Sequence, residues 1–265
     1  MNSEKTRKHS KSGKAFIPFA VLGYPDEKAS LQIIRAMVDG GADMLELGFP
    51  FSDPIADGPV IQEAASVALQ AGVDTEACFK MLGKARSFTN MPIGLLVYFN
   101  LVMQYGVDAF YRKCRERAIQ YVLVADVPLE EAGETGRSAR KYGVGAVFIV
   151  SELTSNDRLR KVFAATTGFV YVVSRPGVTG VRREVSQSTK KLLERLRAKT
   201  TLPLYVGFGI SKPAHVRAMC RAGADGVICG SAIVSLIKKN IRNPRGLADK
   251  IKAFVRSMKA ATINK

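Results

Sequence analysis

The chain has 265 residues, 47% of them hydrophobic, and a net charge of +17 from 40 Lys and Arg against 23 Asp and Glu. That is long for an ordinary domain but suits one α/β barrel with a sizeable core. No apolar run approaches the length of a membrane span.

Several classes of protein are excluded early. The opening stretch MNSEKTRKHSKSGK has no apolar segment of the kind a secretory signal needs. The four cysteines, Cys78, Cys114, Cys220 and Cys229, are widely spaced and form no CxxC pair. Reduced thiols and a cytoplasmic location are therefore expected. The basic residues cluster in Lys190–Lys199 and from Lys238 to Lys265, where they alternate with apolar residues at helical spacing. That is the pattern of solvated helix faces, so neither a nucleic-acid site nor a membrane surface is expected. With only His9 and His215 present, a His-based triad, zinc site or proton shuttle has little support. His215 is expected on a helix surface.

Residues 1–15 read as a basic lead-in, and 16–265 as the folded unit. Eight short apolar, β-rich runs follow in order: Phe16–Leu22, Met44–Leu47, Ile93–Tyr98, Tyr121–Ala125, Ala146–Val150, Phe169–Val173, Leu204–Phe208 and Gly226–Cys229. A helical pattern follows each. One spans Asp26–Val38, with Asp26 as N-cap and Gly40 and Gly41 as the stop. Another spans Lys212–Ala222, with Ser211 as N-cap, Pro213 in the first turn and Gly223 beyond the end. Eight strands alternating with helices predict a parallel (β/α)8 TIM barrel in a single domain. Pro18 within the first strand argues mildly against this assignment. The second and sixth units are longer than the rest and leave room for active loops at Pro50–Pro59 and Arg175–Ser188.

The run Leu45–Gln62, LELGFPFSDPIADGPVIQ, carries the chemistry. Its strand holds a carboxylate, Glu46, and its loop holds Asp53 and Asp57. An internal similarity isolates Glu46: Gly41–Gly48 reads GADMLELG and Gly223–Gly230 reads GADGVICG, which sets Glu46 against Ile228. The fold tolerates an apolar residue there, so the acid is not present for packing. By strand parity Glu46 lies opposite Leu45 and Leu47 and fits the barrel interior. A dry mouth would raise its pKa and suit it to proton transfer. Asp57 would hold a polar N–H or O–H of a ligand. The plainer alternatives are a buried Arg partner for Glu46 and helix capping near Pro59 for Asp57. Asp53 reads as a turn former or surface contact, and Asp126 as a loop-orienting acid.

The ends of the last three strands are glycine-rich: SRPGVTG (Ser174–Gly180), GFGIS (Gly207–Ser211) and CGSAI (Cys229–Ile233). Barrels often bind phosphate with the loops after strands seven and eight, so the ligand is expected to carry one. Phe19, Tyr98, Tyr171 and Phe208 near strand ends would form a pocket for a flat ring. No Lys lies in a predicted strand, which disfavours Schiff-base chemistry, and no acid/His cluster has metal-ligand spacing.

The segments FIPFAVLGYP, LELGFPFSDPIADGPVIQ, YGVDAFYRKC, VLVADVP, SRPGVTG, GFGISKP and CGSAIV together resemble the tryptophan synthase alpha-subunit family, over nearly the whole chain from Phe16. The resemblance implies a lyase that cleaves indole-3-glycerol phosphate by a retro-aldol reaction to indole and glyceraldehyde 3-phosphate. It implies Glu46 as general acid/base, Asp57 as the acid holding the indole N–H, and Tyr171 in the catalytic site. Phe19 and Phe208 match the indole pocket; Gly180, Gly209, Gly230 and Ser231 match the phosphate cradle. Thr179 matches a loop residue that closes the site and orients Asp57. Pro50, Asp53 and Pro54 match the segment touching a beta subunit, which would hold pyridoxal phosphate and receive indole in an α2β2 complex; the alpha chain itself needs no cofactor and no metal. Two positions depart from the family pattern. Val21 stands where Thr is usual, and Ser151-Glu152-Leu153 replaces a Pro-containing segment. Glu152 near the mouth is expected to repel the phosphate or shift the pKa of Glu46, which leaves open a catalytically weak chain acting mainly as activator of its beta partner.

Overall fold

Every strand pairing among the described residues is parallel, and the two ends of the ladder are joined by a single residue. The computed structural model describes residues 13–173, 187–207 and 209–263. The strands are β1 (Ala15–Val21), β2 (Leu45–Gly48), β3 (Ile93–Val97), β4 (Tyr121–Val124), β5 (Gly145–Ala146), β6 (Phe148–Val150), β7 (Val170–Val172), β8 (Leu204–Val206) and β9 (Gly226–Cys229). Their order is β5-β4-β3-β2-β1-β9-β8-β7-β6. β5 and β6 are two pieces of the predicted fifth strand, interrupted at Val147, whose N–H still reaches Val122 O at 3.2 Å. The sheet therefore closes on itself as the expected eight-stranded barrel. The break falls where the Tyr121 ring fills the space beside Gly145 and Gly168; a Cβ on either would lie 2.6–2.7 Å from its Cδ1.

Pro18 does lie inside β1. The register explains why it is tolerated: β1 pairs with β9 over Ala15–Pro18 and with β2 over Phe19–Val21. The missing N–H falls at the handover between neighbours.

The described helices are α1 (Glu27–Asp39), α2 (Pro59–Gln70), α3 (Thr75–Arg86), α4 (Phe99–Tyr105), α5 (Val107–Glu116), α6 (Gly133–Tyr142), α7 (Asn156–Ala165), α8 (Gln187–Arg197), α9 (Pro213–Arg221), α10 (Ser231–Asn240) and α11 (Pro244–Ala260). None among the described residues is long and apolar enough to cross a membrane. Asp26 caps α1 as expected, accepting the Ala29 N–H at 2.8 Å. α9 departs from expectation. Lys212 is the N-cap and makes no side-chain cap bond. Instead His215, in the first turn, reaches back to Gly209 and Ser211 and is buried at 8% exposure. The expected surface position for His215 is thus corrected: its ring plugs the β8–α9 turn.

Strand alternation divides the core in two. Ile17, Met44, Leu123, Phe169, Tyr171 and Ile228 point into the barrel. Phe16, Leu45, Leu47, Val122, Val170 and Val227 face the helices. The N-terminal face is closed by repeated polar staples. Asp43, in the first GAD, accepts the Phe16 N–H at 2.7 Å and pairs with Lys259 Nζ at 2.7 Å. Asp225, in the second GAD, accepts the Leu204 N–H at 2.9 Å and pairs with Arg197. Gln120 does the same for Ile93 at 2.7 Å. Each acceptor precedes a strand and binds the first or second N–H of its neighbour. Bracing this end serves stability and leaves the other for chemistry.

Asp43→Ala would leave the Phe16 N–H without its side-chain acceptor and remove the carboxylate that faces Lys259, whose ammonium also donates to Lys14 O. A loss of about 3 kcal/mol in urea unfolding at pH 7 is expected, with turnover at 25 °C unchanged. Equal loss of turnover and stability would contradict the assignment of this face to stability alone.

Candidate active site

Glu46 sits in the middle of β2, opposite Phe19 on β1 and Gly94 on β3. Its neighbours Leu45 and Leu47 pack toward the helices, so the carboxyl points into the barrel at 3% exposure. Among the described residues it has neither an ion pair nor a hydrogen bond. A buried Arg partner is therefore ruled out there. Space above it is kept by glycines. A Cβ on Gly48 would lie 2.8 Å from the Phe19 ring, and one on Gly230 would lie 3.3 Å from it. Phe19, the register partner of Glu46, is thus wedged between two strand ends that carry no side chain.

Asp57 lies in the loop between β2 and α2. Gly58, not Asp57, is the N-cap of α2. The Asp57 carboxylate is instead held by the Tyr98 hydroxyl, which donates to Oδ2 at 2.9 Å. The same hydroxyl accepts the Ala56 N–H at 3.2 Å. Tyr98 is fully buried and stacks on Phe51 at 5.0 Å. Sequence reasoning took Tyr98 only as a pocket aromatic. The available signal was that a buried Tyr hydroxyl needs a partner, and this one ends a strand beside the acid-bearing loop.

The charges report on one another. Burial pushes the Glu46 carboxyl up to about 8, and the Asp57 charge adds to the rise. Burial also raises Asp57, with the Tyr98 hydrogen bond acting against it. Tyr171 on β7 is raised well above the ordinary phenol value by burial, then by Glu46 and Asp57. The three groups therefore face one volume. Gly207, after β8, is required to make room for Tyr171, since any Cβ would overlap the phenol. At neutral pH Glu46 holds a proton, and Tyr171 stays a phenol.

Glu152 does not behave as expected. It is absent from the charges that shift Glu46. Arg195 on α8 donates to the Thr154 carbonyl at 3.0 Å and braces the loop that carries Glu152. Asp126 does orient a loop, accepting the Phe99 N–H at the start of α4 at 2.8 Å.

Of the residues expected to hold phosphate, Gly209 adopts φ +70°, with nothing among the described residues within 4 Å of its Cβ position. Gly230 precedes α10 and Ser231 opens it, exposed, at the positive end of the helix. The two loops touch: the Cys229 thiol donates to Ile210 O at 3.1 Å. Thr179, Gly180 and Phe208 lie outside the described residues, as does most of the expected loop at Arg175–Ser188. Pro50 and Pro54 are buried within the chain, while Asp53 is exposed. Ile55 beside them is 82% exposed and was not anticipated. Among the described residues no three His, Cys, Asp or Glu side chains come together as metal ligands.

A parallel barrel with a proton-bearing carboxyl in its mouth, a second acid held by a tyrosine, and open glycine turns defines an acid/base enzyme for a small ring-bearing phosphate ester. The family model described as "Tryptophan synthase alpha chain" matches residues 5–263. The tryptophan synthase alpha chain of Methanothermobacter thermautotrophicus is 49% identical over 249 residues, covering 94% of this chain and 92% of that one. That of Edwardsiella ictaluri is 46% identical, covering 94% and 93%. Tryptophan synthase subunit alpha from Legionella pneumophila superposes with a TM-score of 0.89 at 31% identity, covering 99% of this chain and 98% of that one. A Pyrococcus furiosus structure, titled for mutual activation of the tryptophan synthase α2β2 complex, gives 0.87 at 36% identity, covering 94% and 99%. The chain belongs to the tryptophan synthase alpha chain family, and is a lyase of tryptophan biosynthesis.

Tyr98→Phe removes one bond to Asp57 and strands the Ala56 N–H. A fall of about tenfold in kcat is expected from the loss of one hydrogen bond to a charged group, with Asp57 no longer held in place. Steady-state indole formation checks this; unchanged kcat would show that Asp57 needs no such support.

Proposed function

We propose that Glu46 and Asp57 carry the retro-aldol cleavage of indole-3-glycerol phosphate to indole and glyceraldehyde 3-phosphate. The observation that supports it best is the buried, unpaired Glu46, protonated at neutral pH and yet within reach of a second charge. In this reading the Glu46 carboxyl gives its proton to the ring carbon bearing the glycerol chain. The ring becomes cationic and acts as the electron sink. Asp57, oriented by Tyr98, accepts the ring N–H and stabilises that cation electrostatically. The Glu46 carboxylate then takes the proton of the side-chain hydroxyl next to the breaking bond. The C–C bond opens, its electron pair returns to the ring, the aldehyde forms, and Glu46 is again protonated. Tyr171 and Phe19 pack the ring, and a raised Glu46 pKa matches both halves of this proton cycle.

In this reading the phosphate is taken by Gly209, Gly230, Ser231 and Gly180, while Phe208 belongs to the indole pocket and Thr179 to the loop that orients Asp57. This chemistry needs no cofactor or metal in this chain. The chain works with a beta subunit carrying pyridoxal phosphate, as an α2β2 complex in the cytoplasm. Asp53 and the exposed Ile55 offer contact surface beside the mouth, and Pro50 and Pro54 shape that segment from within. The reading of the chain as a mere activator rested on Glu152, and the charges around Glu46 give it no support.

Glu46→Gln keeps the size of the side chain and removes its proton cycle. Indole release from indole-3-glycerol phosphate is expected to fall at least about 10³-fold, the range of a lost general acid/base, with the fold intact by circular dichroism. Activity within about tenfold of the parent would refute the role.

A further inference from the structure

We infer that His215 is a positioning residue for the phosphate cradle: its imidazole orients the Gly209–Ile210 peptide so that the Ile210 N–H is offered to the phosphate. The inference rests on the reading that the ligand's phosphate sits at the Gly209 and Gly230 turns. His215 is buried in the first turn of α9, and its Nδ1 lies 3.0 Å from Gly209 O and 3.4 Å from both Ser211 N and Ser211 Oγ. One imidazole nitrogen cannot both donate and accept. The Gly209 carbonyl only accepts and the Ser211 N–H only donates, so Nδ1 serves one of them; the shorter contact, at 3.0 Å against 3.4 Å, assigns the proton to Nδ1 and gives up the Ser211 N–H bond. His215 then donates to Gly209 O.

That bond has a consequence through the planar trans peptide. The Gly209 carbonyl and the Ile210 N–H belong to one unit and point in opposite directions. Fixing the carbonyl on the imidazole turns the N–H away from α9. The next carbonyl, of Ile210, is fixed independently by the Cys229 thiol at 3.1 Å, and burial keeps that thiol protonated, with its pKa pushed up to about 12. Both carbonyls of the turn are thus pinned, one from α9 and one from β9. Ile210 is 4% exposed, and its N–H finds no acceptor among the described residues. A donor on a buried residue is costly to leave unmet. Among the described residues nothing lies within 4 Å of the missing Cβ of Gly209, which sits at φ +70° just before that donor. Cys229 directly precedes Gly230, so its thiol bond ties the turn that carries the Ile210 N–H to the start of α10.

His215→Ala frees the peptide to rotate. His215→Asn can restore a donor near the Nδ1 position. The test is calorimetric binding of glycerol 3-phosphate and, separately, of indole, to the parent chain and both variants, together with KM and kcat for indole-3-glycerol phosphate. The expected result is binding of glycerol 3-phosphate weakened about tenfold in His215→Ala, the size of one misplaced hydrogen bond to an anion. Indole affinity and kcat stay within about twofold of the parent, KM rises in step with the phosphate loss, and His215→Asn recovers most of it. Equal glycerol 3-phosphate affinity in parent and His215→Ala overturns the inference while leaving the cradle intact. So does a loss shared by indole, or no recovery in His215→Asn, because those mark a merely structural histidine. A parent chain that fails to bind glycerol 3-phosphate at all overturns the cradle reading, and the inference with it.

Discussion

Burial of one carboxyl, Glu46, is the constraint on which the site depends. The group is 3% exposed inside the closed barrel, and no ion pair among the described residues compensates it. Desolvation then penalises the charged form and sets the group's pKa near neutrality, with the Asp57 charge as a second contribution. The fold bears a cost for this. The folded pKa of about 8 lies above the ordinary 4.5, so the protonated group's contribution to stability is fully present below about 4.5 and is lost as pH rises through about 8. The slope is about 1.4 kcal/mol per pH unit for one proton. The same free-energy difference that strains the fold at alkaline pH keeps a proton available for transfer.

Backbone economy makes that burial possible. Gly48, Gly207 and Gly230 carry no side chain where Phe19 and Tyr171 need room. The polar staples at the opposite end, Asp43, Gln120 and Asp225, fix where each strand begins. In a barrel with fixed strand starts, a residue's height and facing follow from its position along the strand. Thus Glu46 on β2 and Tyr171 on β7 come to one level without contacting each other's strands. Asp57 comes from a loop and needs a separate support, which Tyr98 supplies.

Much of this was legible in the sequence. The eight apolar runs marked the strands to within a residue or two, because each is bounded by helix stops and turn residues. Glu46 stood out because an ionisable group inside an apolar strand has few structural uses, and its parity fixed its direction. Other features depended on long-range contacts that spacing does not encode. Tyr98 joins Asp57 across 41 residues of chain, and Cys229 joins Ile210 across 19. His215 was misjudged because helical spacing predicts a face, whereas its ring folds back over the turn before the helix. Of the two effects expected of Glu152, only the shift of Glu46 is answered: burial first and the Asp57 charge second raise that carboxyl, and Glu152 is not among the causes.

The most direct test of the account is a site-resolved titration of Glu46. Carbon-13 labelled glutamate spectra of the parent chain, with Glu46→Gln as the assignment control, read the ionisation of this carboxyl itself. One resonance that titrates near about 8 and vanishes in Glu46→Gln is the predicted result. A Glu46 resonance that titrates with the ordinary carboxylates near 4.5 would contradict it, because the group would then hold no proton at neutral pH and could not begin the cleavage as a general acid.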